Sequence, residues 1–182
     1  MSRNIGYNKQ RNNITENNLN GYKQCFFTVA WMLMSFYTEY IIAADDQSLA
    51  NYVLYCEHLI KGVEHPGFLF TVQRQAIAKY LADNGYYGNV NFSETYHVDD
   101  LYQLVQKVPV IVGTERLGGL PDGHIILLND VNGPDAFDSN DPFGNANTNY
   151  ADDNGEQVLY TLDMLRPHID YGGGNCHIIY VN

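Results

Sequence analysis

The stretch Cys25-Phe26-Phe27-Thr28-Val29-Ala30-Trp31-Met32-Leu33-Met34-Ser35-Phe36-Tyr37 constrains the fold more than any other part of the chain. Its apolar residues cover nearly every face of a helix, and neither Gly nor Pro interrupts it before Ala44. A helix that is apolar all round belongs at the centre of a domain or within a bilayer. Thr28, Ser35, Thr38 and Glu39 make this one too polar to span a membrane. Other elements must therefore wrap around it. A chain of 182 residues suffices for one such domain, and a second would be cramped.

The flanking patterns say which elements do the wrapping. Residues 1–24 are rich in Asn and Gln, carry almost no hydrophobic pattern, and read as an extended arm. Residues 25–182 read as the single domain. Helices are expected from Asp46 to Ile60, Thr71 to Ala82 and Val98 to Lys107, with Asp83-Asn84-Gly85 as a stop signal. From Pro109 onward the period changes. Pro109–Gly113, His124–Leu128, Val158–Tyr160 and Cys176–Val181 are short apolar runs typical of strands, and Ala136–Asp138 follows the Asn132-Gly133 turn. Helices first and strands afterwards indicate an α+β fold, without internal repeats or a linker.

Charge narrows the partners. The formal net charge of −11 argues against binding nucleic acid or anionic membrane surfaces. Arg3, Lys9, Arg11 and Lys23 precede Cys25, but they are interleaved with asparagine and read as a solvated segment. No apolar run in residues 1–24 resembles a secretory leader, so the sequence assigns no location. Tyrosine is over-used, at 15 of 182 residues, which suits extended polar clefts and ordinary packing equally well. Three cysteines is an odd number, so at least one thiol is unpaired or pairs between chains. A Cys56–Cys176 bridge stays open, with two buried free thiols as the favoured reading.

Three positions could carry chemistry. Cys25 opens the apolar helix, where first-turn N–H groups and the helix dipole stabilise negative charge on sulfur and can face a developing oxyanion. A buried cysteine in a helix cap explains its position equally well. His124 opens a strand after the flexible Gly118-Gly119-Leu120-Pro121-Asp122-Gly123, a placement suited to a general base. Asp141 follows the next strand; if that strand neighbours the one carrying His124, its carboxylate returns to the imidazole and orients it. Asn140 competes for that role. Zinc bound by His124 with Asp138 or Asp141 and His168 or His177 lacks any supporting spacing. A calcium loop at 138–144 fails because Pro142 falls where an oxygen ligand is needed. No metal or cofactor is implied.

Ordered motifs across nearly the whole chain add a resemblance. Lys9-Gln10-Arg11-Asn12-Asn13 precedes Cys25, Thr28, Met32, Met34 and Phe36-Tyr37. Pro109-Val110-Ile111, Gly123-His124-Ile125-Ile126, Asp141-Pro142-Phe143-Gly144, Tyr150, and Gly155 before Val158-Leu159-Tyr160 follow. In these motifs the chain resembles papain-like cysteine peptidases, in particular stand-alone phage and bacterial domains related to the bacteriocin-processing, double-glycine peptidases. The resemblance implies a papain-like α+β fold, with the nucleophile on the central helix and an antiparallel sheet carrying the histidine and aspartate. It implies Cys25, His124 and Asp141 as the catalytic residues, Asn140 as the alternative third member, and Gln10 as an oxyanion-hole amide. Gln24, beside the nucleophile, is a lesser candidate for that amide. The implied substrate is a peptide or the peptide cross-bridge of peptidoglycan, as for an endolysin or tail lysin acting as a monomer. A peptidase processing leader or cellular peptides is the alternative. The chain departs from the pattern at Phe26, where the family usually has a small residue, which keeps a non-catalytic binding module in view.

Overall fold

The computed structural model describes residues 3–39 and 46–182. Among them, five α-helices and one six-stranded antiparallel sheet make an α+β fold. In chain order the elements are α1 (Cys25–Tyr37), α2 (Asp46–His58), α3 (Phe70–Asp83), β1 (Val90–His97), α4 (Leu101–Val105), β2 (Val110–Glu115), β3 (Gly123–Val131), β4 (Ala136–Asn140), β5 (Val158–Thr161), α5 (Leu162–Ile169) and β6 (Asn175–Val181). No helix among the described residues is long and apolar enough to cross a membrane.

Helix α1 is buried continuously from Phe26 to Ser35, packed between the sheet and helices α2 and α3. Thr38 ends it, its N–H bonded to Met34 O at 3.0 Å. The expected run toward Ala44 falls on residues 40–45, outside the described ones.

The strand order is β1-β6-β2-β3-β4-β5, every neighbour antiparallel. Both faces of the sheet are covered. Ile111, Ile125, Leu127 and Ile179 join the core around α1, α2 and α3. Val110, Val112, Ile126, Leu128 and Ile178 join a second core with Leu101 and Val105 of α4 and Leu165 and Ile169 of α5. Successive side chains on a strand point to opposite faces, so a sheet buried on both sides reads as unbroken apolar runs. The three central strands were legible for that reason.

Two elements escaped the pattern. Strand β1 (Val-Asn-Phe-Ser-Glu-Thr-Tyr-His) lies at a sheet edge, pairs only with β6 and carries a register shift between Ser93 and Tyr96. Its half-exposed faces accept polar residues that mask its period. Helix α5 contains Pro167, a signal against a helix, but starts on a Thr161 cap whose Oγ1 accepts the Met164 N–H at 3.1 Å. The expected helix from Val98 to Lys107 is shorter, a 3-10 turn at Val98–Asp100 leading into α4.

The N-terminal arm differs most from expectation. It is a packed strap rather than a solvated extension. Ile5 and Leu19 are fully buried. Arg3 pairs with Asp130 at 3.2 Å and donates to the carbonyls of Val105, Asn129 and Gln106 at 2.8–3.0 Å. Lys9 pairs with Asp153 at 2.8 Å. Gln10 N–H donates to Pro142 O at 2.9 Å, and Asn140 Nδ2 donates to Ile5 O at 3.1 Å. Most of these anchors are ion pairs, carboxamides and backbone carbonyls, which leave no hydrophobic period to read.

Candidate active site

Strands β3 and β4 form a hairpin in which Leu127 faces Asn140. Strand β4 ends at Asn140, so Asp141 turns back toward the start of β3, where His124 sits. His124 Nε2 and Asp141 Oδ1 are 2.7 Å apart, with His124 2% exposed and Asp141 fully buried. A carboxylate offers about four acceptor sites, and here four donors converge on it. Oδ1 also accepts the Phe143 N–H at 3.0 Å. Oδ2 accepts the hydroxyls of Tyr150 at 3.1 Å and Tyr160 at 2.9 Å.

The surroundings of that carboxylate are held in turn. Tyr160 Oη accepts the Ala146 N–H at 2.9 Å while donating to Asp141. Tyr7, from the arm, donates to Asp141 O at 3.0 Å and accepts the Gly155 N–H at 3.1 Å. The Asp141 N–H donates to Gly155 O at 2.9 Å. Gly155 must be glycine, because a Cβ there would stand 1.9 Å from Asp141 O.

The charge balance follows from burial and pairing. Burial alone would push the His124 pKa down. The charge and hydrogen bond of Asp141, aided by Cys25, outweigh burial and raise it to about 10. Burial first, then the negative Asp141, pushes Tyr150 and Tyr160 well above the ordinary tyrosine value, so both remain hydrogen-bond donors. Tyr7 is pushed up to about 12, chiefly by burial. With Nε2 committed to Asp141, Nδ1 is the nitrogen left for the Cys25 thiol, which acts on the same ring.

Cys25 is the first residue of α1 and is half-buried. Its place is fixed by the preceding Gln24. Gln24 O accepts both the N–H of Thr28 at 2.9 Å and its hydroxyl at 2.8 Å. The Gln24 carboxamide reaches back to Ile14 O and Leu19 O, both at 2.8 Å. No described side chain caps this helix start, so its first-turn N–H groups remain for water or a ligand.

Cys25 and His124 open onto one cavity of about 460 Å³. Phe26, Phe70 and Ile125 line its interior, and Phe68 and Tyr171 stand at its mouth with Tyr22, Lys23 and Asp122. Phe26 is thus a wall of the cavity, its ring set edge-on against Phe70 at 4.6 Å. Phe143 and Tyr150 pack edge-on against the His124 ring, each 6.0 Å away.

Other singled-out residues lie elsewhere. Asn140 is turned away from His124: its Oδ1 accepts the Gln157 N–H at 3.1 Å, and its Nδ2 holds the arm at Ile5 O. Gln10 is buried, and its Nε2 donates to Gly21 O at 3.2 Å and Tyr22 O at 3.0 Å. Turning the amide over would set Oε1 against two carbonyl oxygens, so the orientation is fixed by repulsion. Both amide hydrogens are therefore committed, and Gln10 is not among the residues lining the cavity. It braces the Gly21–Lys23 turn that carries Tyr22 to the cavity mouth. His177 stacks on Tyr171 at 4.1 Å, and His168 Nδ1 faces Glu115 O at 2.8 Å. Among the described residues no three His, Cys, Asp or Glu side chains gather as a metal site. All three cysteines are free, with Cys56 and Cys176 buried and their thiols pushed up to about 12 by burial.

No family model, curated protein or solved structure matches the chain. The tyrosines around Asp141 carry no local signature in the sequence. Tyr150 and Tyr160 stand in the ordered motifs without a role, and Tyr7 stands outside them. The excess of tyrosine was the available signal, but only the fold shows which rings meet a buried carboxylate.

Proposed function

We propose that the protein is a papain-like cysteine peptidase in which Cys25 attacks a peptide carbonyl, His124 shuttles the proton and Asp141 holds the imidazole. One observation carries the reading. A half-exposed thiol at the start of a buried helix shares a cavity with a histidine whose far nitrogen is fixed by a four-times hydrogen-bonded carboxylate.

The chemistry follows from that arrangement. Cys25 gives its thiol proton to His124, and its sulfur bonds to the carbonyl carbon, whose oxygen takes the negative charge. The uncapped first-turn N–H groups of α1 are the oxyanion donors in this scheme, a role Gln10 cannot fill while both its amide hydrogens are engaged. The C–N bond breaks as protonated His124 gives its proton to the leaving amine. Water then adds to the thioester as His124 takes its proton, the C–S bond breaks to release the acid, and His124 returns the proton to the Cys25 sulfur. The raised His124 pKa favours the protonated ring that the first stage requires.

The test is selective alkylation followed by turnover. Iodoacetamide near pH 6.5 should label Cys25 far faster than Cys56 or Cys176, whose buried thiols resist ionisation. The advantage should vanish in His124→Ala, and Cys25→Ser should lose turnover with the fold intact. Equal, slow labelling of all three thiols would remove the enzyme reading. Peptide cross-bridges of bacterial cell walls are one substrate to try, by digesting purified peptidoglycan and identifying newly freed amino groups by mass spectrometry. Release from polypeptides alone would point to a leader- or protein-processing peptidase.

A further inference from the structure

Tyr150 is placed on strained backbone. Its φ is 61° and that of Asn149 before it is 51°, so two successive residues lie in the left-handed region, which a bulky side chain rarely adopts. The ring is received by Gly118, where a Cβ would stand 2.6 Å from Tyr150 Cε2. The chain is held there from both sides: the Tyr150 N–H donates to Asn145 O at 3.0 Å, and its carbonyl accepts from Arg11 at 3.5 Å. Filling space does not need a phenol. What this placement adds is a hydroxyl whose one described partner is Asp141 Oδ2, at 3.1 Å. Tyr160 differs, because its hydroxyl also accepts the Ala146 N–H and so has a structural task of its own.

The reaction says what such a donor is for. One imidazole must act as acid and then as base, which limits how tightly it can keep its proton. Asp141 pulls hard, since its charge and hydrogen bond overcome burial and raise His124 to about 10. A carboxylate whose Oδ2 was bare would concentrate charge on Oδ1 and pull harder still. Each donor on Oδ2 draws charge the other way. The other ionisable groups around the pair are Cys25 of α1, Tyr160 of β5 and Tyr7 of the strap, with the Arg11 guanidinium 4.0 Å over the Phe143 ring. Tyr7 reaches the Asp141 backbone carbonyl instead of its carboxylate, so Oδ2 is left to the two other phenols. The demand is sharpest once the thioester has formed, when water must give a proton to a neutral His124.

We infer that Tyr150 is a positioning residue that acts through Asp141: its hydroxyl holds Oδ2 and shares the carboxylate's charge, which leaves His124 able to release its proton and serve as base in thioester hydrolysis. The inference rests on the peptidase reading for the reaction step, while the effect on the imidazole is measurable without a substrate.

The first measurement is the His124 titration, read by NMR from the ring in Cys25→Ala protein, which carries no thiolate. Tyr150→Phe should raise the pH of half-titration by about 0.5–1, the share of one donor to a buried carboxylate. A ring-fluorinated tyrosine at position 150, a stronger donor of nearly the same shape, should move it down. A residue that only packs would move it in neither case, and that result, or a fall with Tyr150→Phe, would overturn the inference. The second measurement is turnover with Cys25 in place. The neutral fraction of His124 falls with the titration shift, so Tyr150→Phe should slow the phase after the acylation burst about three- to ten-fold near pH 7. Alkylation of Cys25 near pH 6.5, which needs the ring protonated, should not slow. Equal slowing of both would make Tyr150 a structural residue and overturn the inference. A chain that cleaves no peptide fails the peptidase reading instead, and the titration still decides whether Tyr150 sets the charge.

Discussion

The two sides of His124 are built on opposite principles. On one side a buried carboxylate gathers every donor within reach: the imidazole, the Phe143 N–H and the hydroxyls of Tyr150 and Tyr160. On the other side, across the mouth of the cavity, Phe26 and Phe70 offer rings and no donors. The polar side fixes one charge in one geometry, because a buried carboxylate is tolerable only when paired and fully hydrogen-bonded. The apolar side fixes nothing electrostatically and leaves a cavity of about 460 Å³ open. Rigidity and vacancy sit on either side of one ring.

The comparison is most severely broken at Asp141. Asp141→Ala would leave a buried histidine and two tyrosine hydroxyls unpaired, and should destabilise the fold by about 3–5 kcal/mol, read by chemical denaturation. The milder Asp141→Asn isolates the charge. In the wild type the folded His124 pKa is raised, so the stabilisation from the pair is complete below about 6.5 and is lost as pH rises through about 10. The asparagine variant should lack that alkaline decline, and its His124 should titrate at much lower pH by NMR. An unchanged titration would mean that Asp141 does not set the charge.

Smaller changes sharpen the picture. Tyr160→Phe removes a hydrogen bond to the carboxylate and strands the Ala146 N–H, so about 2–4 kcal/mol of stability should go. Tyr150→Phe removes only its bond to Asp141, and about 1–2 kcal/mol is expected. The reverse ranking would show that the bond to Ala146 is dispensable. Asn140→Ala should detach the strap from β4 at a similar or smaller loss, without moving the His124 titration. A shift of that titration would return Asn140 to contention as the orienting residue.

Those residues also mark how far the sequence alone could reach. Helix α1 and the central strands announced themselves through apolar runs, because both faces of the sheet are buried. Cys25, His124 and Asp141 could be named from their positions relative to those elements, and the hairpin of β3 and β4 brings the last two together. The roles of Asn140 and Gln10 were not legible, since each depends on which carbonyl lies nearby after folding. Both carboxamides donate to backbone carbonyls of the strap and of the turn beside it. The roles of Tyr7, Tyr150 and Tyr160 were hidden for the same reason: nothing local distinguishes a tyrosine that meets a carboxylate from one that packs.

The bonds that Tyr7 and Asn140 make across the molecule also impose a timetable. Tyr7 meets Asp141 and Gly155 across separations of 134 and 148 residues, and Asn140 meets Ile5 across 135. Closing such long loops is slow, and it must follow synthesis of both ends. On a ribosome, Cys25 emerges long before His124 and the residues that hold it. The Cys25 thiol therefore passes through most of translation without the His124–Asp141 pair beside it, and the sheet that holds the pair is complete only when β6, its last strand, lies between β1 and β2. A nascent protein built this way cannot assemble its buried His124–Asp141 pair until the fold around it is closed.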